Sequence, residues 1–413
     1  MDNIKKTHNP LGIGSLILAG EGIFLLPFVI PRIFRPTLLH SLEITNLELG
    51  TCFSIYGIVA MISYFFGGPL ADRLSSKTLI SAALILTGVG GFVLMINPSV
   101  IILYILYGYW GFTTIFLFWA ALIKATRNWG GDHFQGRAFG WLEAGRGTVG
   151  AIIGTVGIAI LSQATVGSVE GSTSASFQSI VLFTSIIVIA IGLISWFGIP
   201  KDDENSLHRE TINFNTVERL LVMPNIWLLG LIIVCAYVGY KVTDDLSLYA
   251  NTVLGLSELE SSYVSGGALW LRPVFALIAG YLADKLSGGK VILFCFGLMA
   301  LGSLMLGFGS GLGFVPVIFI MVFTIMGIYG LRGIYYAIMD EAQIPNYATG
   351  TAVGIMSVVG YTPDVFMSPL MGYLLDNNPG EAGHQYVFLV LAAFSIVGLA
   401  ASAGFNKLNL QKA

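Results

Sequence analysis

The stretch "GGPLADRLSSK" (residues 67–77) returns later in the chain as "AGYLADKLSGGK" (279–290), with Asp72 and Asp284 standing 212 positions apart. A second pair, "GRAFG" (136–140) and "GTAVG" (350–354), repeats at an offset of 214. Similarity at one fixed, long period marks a duplicated structural unit. Both copies of the first motif follow the second long apolar run of their half, and both copies of the second motif open the fifth. The chain therefore reads as two related halves.

What the halves are made of follows from composition. Of 413 residues, 55% are hydrophobic and only 10% charged, with a mean hydropathy of +0.81. Soluble domains carry about 25% charged residues, so the solvent for much of this surface is a bilayer. A helix needs about 20 residues to cross it and satisfies its own backbone there. Twelve apolar runs meet that length, at 10–33, 47–69, 78–96, 99–123, 138–161, 177–199, 224–248, 259–283, 289–309, 313–339, 348–374 and 384–405. The long polar stretch at 200–219 separates the sixth from the seventh. The expected fold is an all-α membrane protein of twelve transmembrane helices in two pseudo-symmetric six-helix bundles. Residues 1–199 and 223–413 form the bundles, and 200–222 form the loop between them. The first run is too long for a signal-peptide core and reads as a retained span.

Orientation follows from the basic residues. Fourteen of the 20 Lys and Arg fall on the side of the two termini and central loop, and only Arg32 and Arg35 on the other. Both termini are expected in the cytoplasm, and the whole in a cell membrane, the inner membrane of a bacterium. A net charge of -3 gives no footing for nucleic acid. Cys52, Cys235 and Cys295 lie singly inside apolar runs and have no metal-ligand spacing, and a disulfide framework is not expected. No cofactor or metal is expected. The phosphate-binding pattern GxxxxGK followed by Ser or Thr is absent, which removes ATP drive from within the chain.

The twice-repeated G-x-L-A-D-R/K loop, at 68–77 and 280–290, resembles the signature of the major facilitator superfamily, with Ser75 replacing the usual second glycine of the first copy. The resemblance covers essentially the whole chain. It implies two bundles that rock about a central site, a cavity lined by spans 1, 4, 7 and 10, and a gating role for Asp72, Arg73, Asp284 and Lys285 as a latch on the cytoplasmic side. Gly68 and Gly280 would then allow close helix approach, and Asp72 would accept hydrogen bonds at a helix N-terminus. The alternative is that these charges only set topology. Residues 127–154, "RNWGGDHFQGRAFGWLEAGRGTVGAIIG", are similar to the span 4–5 region of the organophosphate/phosphate antiporters, and "YTPDVFMSPLMGYLLD" (361–376) to bacterial relatives near them. Those antiporters hold phosphate with one arginine in span 1 and one in span 7. This chain has Glu21 in the core of the first run, and Lys241, Asp244 and Asp245 in the seventh. Their substrate is therefore not carried over.

Ionisable groups inside spans are costly and default to function. Glu21, flanked by Gly20 and Gly22, is a candidate for proton exchange or substrate contact, against a packing role. Lys241, Asp244 and Asp245 share one helical face. They either gate the outer mouth or form a solvated helix end. Arg272 precedes Pro273 in the eighth run. Arg332, between Gly330 and Gly333 and near Tyr335, is the leading candidate for gripping a substrate anion, against simple pairing with Asp364. Asp364 pairs with Arg332 or Arg272, or carries a proton. Trp119 falls near Arg332 by the repeat offset and is a candidate cavity wall. Glu143 and Arg146, three apart, can neutralise each other, yet their counterparts in the other half are Ser357 and Gly360. The fold does not require the charges, which points to the inner pathway or its gate. Glu143 joins Glu21 and Asp364 as a proton-coupling candidate.

The expected function is secondary active transport of a small polar solute, anionic or zwitterionic and proton-coupled, by a monomeric chain in the lipid bilayer. The first alternative is a membrane sensor that binds solute without flux. The second is a membrane enzyme, against which no His, Cys or Ser/Asp cluster gathers on one face; His8, His40, His133, His208 and His384 all fall in expected loops or ends.

Overall fold

A computed structural model describes residues 9–131, 135–166, 172–200, 214–335 and 349–410. The described residues are helical almost throughout, and eleven helices are long and apolar enough to cross a membrane. They are α1 (Pro10–Ile33), α2 (Asn46–Arg73), α3 (Ser76–Ile96), α4 (Val100–Gly130), α5 (Gln135–Val166), α6 (Ser172–Gly198), α7 (Pro224–Thr252), α8 (Glu258–Leu286), α9 (Gly288–Phe308), α10 (Phe314–Ile334) and α12 (Glu381–Leu410). The twelfth crossing, expected as one run over 348–374, is broken into α11a (Thr349–Gly360) and α11b (Pro363–Asn377). Pro363 has no N–H to continue the ladder from α11a, and Thr362 before it closes back to Val359 at 3.2 Å in a tighter turn. Neither piece alone reaches the length of a span. The central loop lies mostly outside the described residues, as do His8, His133 and His208.

Two spans carry local faults. In α1 the backbone slips to i→i−5 bonding over Leu25–Val29, and the Val29 amide donates to the Phe24 carbonyl at 3.2 Å. Pro27 lies inside this turn and removes one donor from the ladder. In α4 the same slip covers Phe112–Trp119, where the Thr114 hydroxyl donates to the Trp110 carbonyl at 2.7 Å in competition with the backbone.

The repeat also appears at helix starts. Thr45 and Glu48 form a reciprocal capping box at the N-terminus of α2, and Ser257 and Glu260 do the same for α8, 212 positions later. Buried apolar side chains gather in two clusters, one spanning Leu16 to Ile199 with Leu269, the other Leu220 to Phe405. Large apolar side chains such as Ile101, Phe197 and Phe319 are exposed, as lipid solvent requires.

The face bearing both termini is called here the terminal face, and the opposite one the far face. The first and second sets of six spans touch through two antiparallel pairs. Gly50 of α2 meets the backbone of Ser368 in α11b, and Gly372 of α11b meets that of Asn46, so closely that a Cβ could not be accommodated. Between α5 and α8, Trp270 donates to the Thr155 hydroxyl at 3.0 Å, and Gly147 lies over Pro273. These contacts occupy the far and middle depths.

Candidate functional site

A central cavity lies between the two sets of spans. Its walls come from α1, α2, α4, α5, α7, α8, α10, the α11 break at Tyr361 and the start of α11b at Asp364. Among the described residues it brings together Glu21, Trp119, Arg146, Lys241, Arg272, Arg332 and Asp364, seven side chains singled out from the sequence. The faults in α1 and α4 both border it, at Phe28 and Val29 and at Ile115 and Trp119.

The charges are partnered across the halves. Glu21 accepts from Arg272 at 3.0 Å, and its second oxygen lies 3.5 Å from Arg146. Arg146 also donates to Glu143 at 2.6 Å and sits by the rings of Phe24 and Trp119. Arg146 is thus buried, while the Glu143 side chain is 55% exposed. Asp364 does not pair with either arginine. It accepts from the Tyr237 hydroxyl at 3.0 Å and lies 3.4 Å from Lys241, because the α11 break sets it against α7. The ammonium of Lys241 is 3.1 Å from Asp244 and close to the rings of Phe28 and Phe53.

Asp245 turns the other way. It is fully buried against His384 at 2.7 Å. The solvated helix end weighed for Asp245 is corrected, and His384 lies in the first turn of α12, at a span end as expected but buried. α7 continues through a 3-10 turn at Thr243–Asp245, and α12 begins three residues before His384.

Arg32 and Arg35, the two basic residues counted on the side away from the termini, are buried. Arg32 donates from Nε to Asp244 at 2.6 Å and from Nη1 to the Tyr240 hydroxyl at 2.8 Å. Its carbonyl accepts from Ser247 and Ser265, each at 2.9 Å. Arg35 donates to the Asp244 carbonyl at 3.2 Å and to Asn46. Asp376 completes this far-face layer by accepting from the first amides of α2, Leu47 at 2.7 Å and Asn46 at 3.2 Å.

Arg332 stands apart. No described carboxylate forms an ion pair with it, and its Nε and Nη1 are buried without a hydrogen-bond partner among the described residues. Its guanidinium lies 3.9 Å from the centroid of the Tyr240 ring and 5.8 Å from that of Tyr237. Tyr335 is buried at the end of α10 but does not line the cavity.

At the terminal face Asp72, Arg73, Asp284 and Lys285 are exposed. A Cβ on Gly68 or Gly280 would meet nothing within 4 Å, so the close approach expected at these glycines is not made in this arrangement. No cluster of His, Cys, Asp and Glu fit for a metal occurs among the described residues.

The family model described as Major Facilitator Superfamily matches residues 13–365. Inner membrane protein YqcE of Escherichia coli K12 is 26% identical over 88% of this chain and 87% of its own. Inner membrane protein YihN of the same organism is 27% identical over 94% and 93%. Among solved structures, a D-xylose-proton symporter superposes with a TM-score of 0.74 at 16% identity, covering 95% of this chain and 96% of the other.

Proposed function

This chain belongs to the major facilitator superfamily of multi-pass membrane transporters, and we propose that it moves a small anionic or zwitterionic organic solute by alternating access, coupled to protons. The observation that carries this reading is Arg332, a cation with two buried nitrogens that have no partner among the described residues, in a cavity where the other lining charges are paired. A guanidinium in that setting lacks an anion, and a substrate carboxylate supplies one with charge-assisted hydrogen bonds. Arg146, Lys241 and Trp119 are the supporting binding residues, with Glu21 at the meeting of the two halves; Tyr335, behind the cavity wall, is not among them.

Residues 1–199 and 223–413 act as the two moving bodies, joined by 200–222. The far face is shut by Arg32–Asp244 and by Asp376 on the start of α2. Asp72, Arg73, Asp284 and Lys285 latch the terminal face in the other state. Asp364 is the leading proton carrier, since its partner Lys241 can be shared with Asp244 when the proton arrives; Glu21 and Glu143 are the alternatives. Relatives named as inner membrane proteins support an inner-membrane location, and the basic residues support cytoplasmic termini. The chain works as a monomer and needs no catalytic group.

The test is a thermal-stabilisation screen of organic anions, zwitterions and neutral analogues on purified protein, then proteoliposome uptake of each hit with and without a pH gradient. Gradient-stimulated uptake of an anion or zwitterion, lost in Arg332→Ala, is expected. Uptake confined to neutral solutes overturns the substrate class. Binding with no flux overturns transport and favours a solute sensor.

A further inference from the structure

Three guanidinium groups converge on one aromatic ring. Arg332 lies 3.9 Å, Arg32 4.4 Å and Arg272 5.9 Å from the centroid of Tyr240. Each belongs to a different part of the machinery. Arg332 faces the cavity with no acid paired to it among the described residues, Arg32 holds the far-face pair with Asp244, and Arg272 holds Glu21 across the halves. Tyr240 is the side chain common to all three, and its hydroxyl is spent on Arg32 at 2.8 Å. The ring face attracts a cation through its quadrupole, and the attraction strengthens away from water. An anion arriving at Arg332 competes with that ring for the same guanidinium.

We propose that Tyr240 is a positioning residue that links occupancy of Arg332 to the far-face latch. Resting on the ring, Arg332 holds the hydroxyl toward Arg32, which keeps Arg32 aligned on Asp244. An anion that draws Arg332 off the ring frees Tyr240 and weakens the Arg32–Asp244 alignment. The far face then opens more readily when the site is filled than when it is empty. A ligand shifts such an equilibrium only through different contacts in the two states, and the Arg332–Tyr240 stack is that difference. This rests on Arg332 being the anion-binding group. It adds how filling that group reaches a gate made of other residues.

The link is testable without a substrate. Spin labels at Glu43 and Asn377, both exposed at the far face on opposite halves, report the ratio of far-open to far-closed protein by pulsed electron resonance in nanodiscs. Arg332→Ala, which removes the cation from the ring, and Tyr240→Phe, which removes the hydroxyl held by Arg32, are each expected to raise that ratio by roughly ten- to thirtyfold, the range of a desolvated cation–π contact and of a hydrogen bond to a charged group. The double variant is expected to match either single one, because both break the same chain of contacts. Asp244→Asn is the reference for an opened latch. Additive shifts in the double variant, or no shift in Tyr240→Phe, overturn the proposal. Arg332→Gln takes the place of Arg332→Ala if the latter does not purify as a single species. Since no solute is present, a failed uptake assay and a failed link give different results.

Discussion

Glu21 and Arg272 lie 251 positions apart and meet at 3.0 Å inside the central cavity. One comes from the first span and the other from the eighth, so the contact ties the two repeats together at mid-depth. Arg146 approaches the same carboxylate at 3.5 Å from the fifth span. A single acid thus compensates cations from both sides of the interface.

Removing one partner of a buried ion pair leaves the other uncompensated, at a cost of about 3 kcal/mol or more. Glu21→Gln is therefore expected to unfold at markedly lower temperature in detergent, and the double variant Glu21→Gln/Arg272→Gln to recover most of the loss. Thermal unfolding followed by intrinsic fluorescence measures both. Equal melting of the single and double variants speaks against the pair.

For Arg332 the expectation concerns affinity. Truncating one side of a buried charge contact costs roughly 2–5 kcal/mol, or about 30-fold or more in binding. Arg332→Ala should lose the thermal stabilisation given by whichever anion the screen identifies, and Arg332→Lys, which keeps charge without the planar fork, should retain part of it. Full uptake by Arg332→Ala removes this residue from the site.

Asp364→Asn fixes that position in an uncharged state. Proteoliposome uptake driven by a pH gradient is expected to fall to the level seen without one, while exchange of labelled for unlabelled solute at equal pH continues. If gradient stimulation survives, the proton resides elsewhere, and the same comparison on Glu21→Gln and Glu143→Gln follows.

The far-face closure can be broken sterically. A Cβ on Gly50 runs into the backbone of Ser368 and Pro369, which cannot turn aside. Gly50→Leu should lengthen the Glu43–Asn377 label distance, and Gly68→Ala, whose Cβ enters open space, should leave it unchanged. Loss of a helix cap costs about 1 kcal/mol, so Asp376→Ala should move the far-open fraction by about fivefold. An unaltered distance in both Gly50→Leu and Asp376→Ala excludes this contact as the gate.

Much of this was legible before any coordinates. Hydropathy located the crossings, because lipid forces long helical runs, and the paired Asp72 and Asp284 motifs revealed the repeat. The buried ionisable residues stood out for the cost of placing them in lipid. Their partners did not stand out. Asp364 meets Lys241 rather than an arginine because of a helix break whose angle no spacing encodes. Arg32 and Arg35 entered the sequence reading only as basic residues that set orientation. Only the packing of the first span on the seventh buries them. Tyr240 gave no signal, being one aromatic in an apolar helix. The capping boxes at Thr45–Glu48 and Ser257–Glu260 were readable as S/T-x-x-E at the repeat offset and would have strengthened it.

The break at Tyr361–Thr362 has no equivalent in the first repeat. By the 214 offset its counterpart falls at Gly147 and Thr148, in the uninterrupted helix Gln135–Val166. Duplication thus left one rigid post and one jointed post at matching places. The break separates an upper piece, begun by Pro363 and Asp364 and docked on α2, from the α11a segment below, which packs on α7. The two sides of such a carrier need not release together. One can begin to close before the other has let go, and the interval between them is a stage at which cargo is shut off from both.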